Sequence, residues 1–94
     1  AADWHDHGSS SGAFTVLEGR LTEHTFDGGL QLVDLSVGDG KAFGAGYAHD
    51  VRNETDRPAL SLHAYSPRLS SMTRFRFRGD RLEALGVERA GEEW

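Results

Sequence analysis

The amino-acid sequence predicts an all-β fold, a barrel or a sandwich, on three observations. About eight short runs of alternating or β-rich residues follow one another at nearly regular spacing. Turn signals separate them, many supplied by the 12 glycines of this 94-residue chain. No stretch carries the apolar period of a helix of about ten residues or more.

The elements follow in order. Residues 3–7 read as a strand, and the small residues Gly8-Ser9-Ser10-Ser11-Gly12 as a turn or loop. Ala13 to Glu18 is apolar and β-rich, Gly19 interrupts it, and Leu21 to Phe26 continues with alternating character. Asp27-Gly28-Gly29 is a hairpin signal leading into a strand with Leu30, Leu32, Val33 and Leu35. Val37 to Gly40 ends that strand. Lys41 to Phe43 is a short extended segment, and His49 to Asn53 is another strand. Glu54 to Pro58 is a polar turn before the alternating run Ala59 to Tyr65, which Ser66-Pro67 stops. Met72 to Arg78 reads as a strand with Phe75 and Phe77 on one face and Arg74, Arg76 and Arg78 on the other. Leu82 to Trp94 fits either a final strand or a short helix. No repeat, low-complexity tract or internal boundary divides the chain, so residues 1–94 read as one domain.

Composition narrows the function classes. The net charge is −5, and Lys41 is the one basic residue that is not arginine. That balance argues against nucleic acid or an anionic membrane as the main partner. With no cysteine, neither disulfides nor thiolate ligands are available. No apolar run spans a bilayer, and the first residues do not form a secretory signal.

Chemistry enters with the histidines His5, His7, His24, His49 and His63. On a strand, residues two apart share a face, so His5 and His7 project the same way. At a rise of ~3.3 Å per residue their Cα atoms stand roughly 6.5–7 Å apart, which lets both imidazoles reach one metal ion. His24 lies in the exposed-looking Thr22-Glu23-His24-Thr25 segment and reads as an ordinary surface or hydrogen-bonded residue. Ser61, His63 and Tyr65 fall at alternate positions and share one strand face. Ser9-Ser10-Ser11 beside His7 lacks the strand–turn–helix elbow of a hydrolase nucleophile. The arginines of 74–78 read as a solvated face, and Trp4 and Trp94 as packing residues.

Two spaced patterns resemble the paired motifs of the cupin superfamily. His5, His7, Gly12 and Gly19 match the first, with Gly12 where a glutamate ligand usually stands. Gly38, Gly44, Gly46, His49 and Asn53 match the second, with Gly44 at the usual proline. A barrel can aim His5, His7 and His49 at one interior point. The resemblance narrows with His5-Asp6-His7-Gly8, Val16 to Glu23 and Ser61-Leu62-His63-Ala64-Tyr65-Ser66-Pro67, which together look like the cysteine dioxygenase family of thiol dioxygenases. It runs from about Trp4 to Pro67.

The resemblance implies a cupin-type jelly-roll β-barrel, here a partial domain over 1–94 that is expected to be incomplete at its N-terminus. It implies Fe(II) held by His5, His7 and His49, without the cupin glutamate, and leaving positions for a substrate thiolate and amine and for O2. It implies a relay of Ser61, His63 and Tyr65, with the Tyr65 hydroxyl set toward O2 or the substrate carboxylate, and a cis Ser66-Pro67 bond. The expected activity is oxidation of L-cysteine by O2 to cysteine sulfinate, by a cytoplasmic and monomeric enzyme. Two features depart from the family. Animal members carry a cysteine at the position of Gly12, cross-linked to the tyrosine matching Tyr65, and no such bond can form here. The family's carboxylate-binding arginine precedes the His-x-His strand, in a region this sequence does not include. A 3-mercaptopropionate dioxygenase, and a non-catalytic cupin binding zinc or a small ligand, remain the alternative readings.

Overall fold

The computed structural model describes residues 4–78 and 81–90, and among them it contains nine strands and no helix. The strands are β1 (Trp4–His5), β2 (Ser11–Glu18), β3 (Leu21–Phe26), β4 (Leu30–Leu35), β5 (Gly40–Phe43), β6 (Asp50–Arg52), β7 (Leu60–Ser66), β8 (Ser71–Arg78) and β9 (Arg81–Arg89). They form three antiparallel three-stranded sheets in the orders β1-β8-β9, β5-β2-β7 and β4-β3-β6. This is the expected all-β, cupin-type architecture. No helix of the described residues is long and apolar enough to cross a membrane.

Alternation along β2 sets which residues face inward. Phe14 and Val16 are buried, Thr15 between them is half-buried, and Ala13 before and Leu17 after them are exposed. Together with Leu21 of β3, Leu35 of β4 and Phe43 of β5 they form the hydrophobic core, with Tyr47, Val51, Ala59 and Tyr65 packed against it. Each fully buried large side chain of this kind contributes about 1.5–3 kcal/mol by leaving water. The register of β2 with β7 opposes Gly12 to Tyr65, Phe14 to His63 and Val16 to Ser61. The inward face of β7 is therefore polar where that of β2 is apolar, and its other face leaves Leu60 and Leu62 exposed.

Three local readings are corrected or resolved. The strand expected over 3–7 is formed only by Trp4–His5 among the described residues. It ends because the Asp6 carboxylate turns the chain, accepting hydrogen bonds from Gly8 N at 3.0 Å and from Thr73 N at 3.1 Å. The ambiguous last run is a strand over Arg81–Arg89, held to β8 by cross-strand ion pairs of Arg74 with Glu88 and Arg76 with Glu83. These pairs also explain the arginine face, which is neutralised by β9 rather than simply solvated. Trp4 packs as expected, buried and stacked on Phe77, whereas Trp94 lies outside the described residues. The Ser66-Pro67 bond is cis, as expected.

Candidate metal centre

His5 and His49 are brought together by the backbone. Each donates its amide to the other's carbonyl, at 3.0 and 2.9 Å, in an isolated antiparallel bridge between β1 and the approach to β6. Direct pairing of this kind fixes the two side chains on one side of the ladder. His7 joins them from the turn that Asp6 closes. The turn is further tied down by the buried Ser10, whose hydroxyl donates to Pro67 O at 2.8 Å. That hydrogen bond gives the serine run a structural role.

The three rings stand face to edge, with centroids 4.8 Å apart for His5–His7, 5.0 Å for His5–His49 and 5.1 Å for His7–His49. One nitrogen from each lies within 4.8 Å of the other two, so the group can hold a metal ion. His7 and His49 are buried and His5 is half-buried, which leaves His5 on the more open side. The walls are aromatic. His7 packs between Phe43, at 5.0 Å, and Tyr65, at 4.9 Å, and His49 packs against Phe14, Phe43 and Tyr47.

Electrostatics match the geometry. Burial, reinforced by neighbouring His5 and His49, lowers His7 from 6.5 to about 4. The ring is thus neutral near pH 7 and has a lone pair to offer. His7 Nδ1 is also buried without a hydrogen-bond partner, an uncompensated polar burial of the kind a ligand interaction can relieve. Three imidazoles converging in an aromatic-walled site form a donor set suited to a divalent transition metal.

Glu23 is the feature that sequence reading missed. It is almost fully buried on β3, and its Oε2 accepts a 2.9 Å hydrogen bond from His49 Nδ1 and a 3.1 Å bond from the Tyr47 hydroxyl. Its Oε1 accepts from Lys41 Nζ at 3.0 Å. Burial alone would raise its pKa, but the bonds from His49, Lys41 and Tyr47 outweigh that and hold the carboxyl below its ordinary value. The available signal was its place two residues after Leu21, on that residue's inward face.

The remaining expected residues lie nearby. Ser61 Oγ and His63 Nε2 share a 2.9 Å hydrogen bond, and His63 stacks on Phe14 at 5.2 Å. Partial desolvation lowers the His63 pKa, aided by His49, although the residue keeps an exposed side, and burial raises that of the Tyr65 phenol. Ser61 and His63 are thus linked directly, whereas Tyr65 meets the metal group through its contact with His7. His24 stands apart from the group. It is buried rather than exposed, with Nδ1 at 3.3 Å from Asp50 O and Nε2 at 3.1 Å from Glu54. Residues 1–78 match the sequence model of a known family, described as cysteine dioxygenase type I.

Proposed function

The chain belongs to the cysteine dioxygenase type I family, and on that premise we propose that it is an iron-dependent thiol dioxygenase that converts L-cysteine to cysteine sulfinate. The observation that carries the reading is the convergence of His5, His7 and His49, with Tyr65 packed against His7. Both atoms of one O2 are added to the thiol sulfur, so RSH and O2 give RSO2H and no outside reductant is consumed. Fe(II) held by these residues would supply the redox chemistry.

The chain's own residues then have definable tasks. His5, His7 and His49 would hold the metal through one ring nitrogen each. Phe14 and Phe43 shield the buried side of the site from water. The raised pKa of Tyr65 keeps its hydroxyl protonated near neutral pH, where it can donate a hydrogen bond to substrate or O2. Ser61 fixes the His63 ring, and the two steady the polar side of the site. The partners on this reading are a small thiol and O2, encountered by a monomer in the cytoplasm, where thiols stay reduced.

Oxygen uptake by the purified Fe(II)-loaded protein tests the reading. L-Cysteine is expected to drive uptake with an equal yield of sulfinate, and with a higher kcat/KM than 3-mercaptopropionate. A reversed preference would reassign the substrate. No uptake with either thiol would refute the dioxygenase reading.

A further inference from the structure

We propose that Glu23 is a positioning residue for the metal, acting through His49, and that Lys41 attenuates its effect. The proposal rests on the reading of His5, His7 and His49 as metal ligands. A carboxylate can only accept, so the 2.9 Å contact with Glu23 Oε2 makes His49 Nδ1 the donor. The other ring nitrogen, Nε2, then keeps its lone pair for the metal. Both side chains are only 1 % exposed, so water competes little for this bond.

Charge gives the contact a second role. None of the three candidate ligands carries a negative charge, and Gly12 provides no carboxylate where a cupin glutamate usually stands. Glu23 returns a negative charge one residue further from the metal, on the far side of His49. A carboxylate behind a ligating imidazole raises its basicity and orients its ring.

Lys41 works in the opposite sense. Its ammonium lies 3.0 Å from Glu23 Oε1 and is 39 % exposed, so it draws on the carboxylate from the solvent side. Tyr47 donates to the same oxygen as His49 and fixes the carboxylate plane. The arrangement has a strong acceptor in the interior and a cation at its outer end.

Co(II) titration of the metal-free protein, followed by visible absorption and a competing chelator, tests the proposal without relying on turnover. Glu23→Gln is expected to weaken Co(II) binding by about 10–100-fold while cooperative thermal unfolding persists. Lys41→Met leaves the Glu23–His49 bond in place and removes the opposing charge, so it is expected to tighten binding several-fold. A merely structural network would move both variants the same way. Unchanged affinity in Glu23→Gln, or weakened or unchanged affinity in Lys41→Met, would overturn the proposal. If Glu23→Gln fails to fold, the Lys41→Met result decides alone. His49→Ala separates the underlying reading: affinity unaffected by that change would remove the metal site itself, and Glu23's role with it.

Discussion

Gly12 sets how closely two aromatic rings can approach the histidines. A β-carbon built there would stand 2.6 Å from Phe43 Cζ, closer than side chains tolerate, and 3.0 Å from Tyr65 Cδ1, a tight contact that Tyr65 would have to relieve by shifting. We expect Gly12→Ala to cost about 1–3 kcal/mol through overpacking, measured by urea unfolding, and to displace Tyr65. At Tyr65 itself, loss of the hydroxyl in Tyr65→Phe is expected to lower kcat on the order of a hundredfold if it takes part in proton transfer, with metal affinity retained. An unchanged kcat would remove Tyr65 from the catalytic group. His7 predicts a pH dependence. Its imidazole titrates at about 4 in the folded protein against 6.5 ordinarily. Between those values the unfolded chain takes up a proton that the folded chain refuses. Its contribution to the stability of the metal-free protein is therefore fully present above pH 6.5 and is lost as pH falls toward 4. Urea midpoints should fall across that window, and His7→Phe should flatten the slope. A slope identical in the variant would contradict the assignment.

At the scale of elements, alternation and turn chemistry carried most of the information. The runs around Phe14, Leu35 and Phe43 form strands close to their expected limits because the residues they bury are apolar and local. The exceptions depend on distant partners. β1 ends after His5 because Asp6 binds Thr73 N, across 67 positions of sequence. His24 is buried against Asp50 and Glu54, whose oxygens lie 3.3 and 3.1 Å from its two ring nitrogens. Glu23 looked like an ordinary strand carboxylate until β5 and the segment before β6 brought Lys41, Tyr47 and His49 to it. Asp6→Ala tests the turn that delivers His7. Leaving Gly8 N and Thr73 N without their acceptor is expected to cost about 1–3 kcal/mol and to weaken metal binding. Loss of stability with unaltered metal affinity would show that the turn does not position His7.

Across the whole molecule, three sheets bring side chains from separate regions of the chain to one point. His5 follows Trp4 on the β1-β8-β9 sheet, His49 sits at the entrance to β6, and Tyr65 comes from β7 beside β2. The candidate ligand set was legible because His5, His7, His49 and the glycines around them occur at revealing spacings. Their surroundings were not, since burial, hydrogen bonding and pKa arise only when β2, β3 and β5 pack together. The match over residues 1–78 establishes the family, and the chemistry assigned to the site follows from its three converging imidazoles and the adjacent phenol. The most direct test of that chemistry is mass spectrometry of the product formed from L-cysteine under isotopically labelled O2 in ordinary water. The account predicts cysteine sulfinate carrying two labelled oxygens, with product lost in His49→Ala. A sulfinate oxygen drawn from water, or undiminished product from His49→Ala, would contradict it.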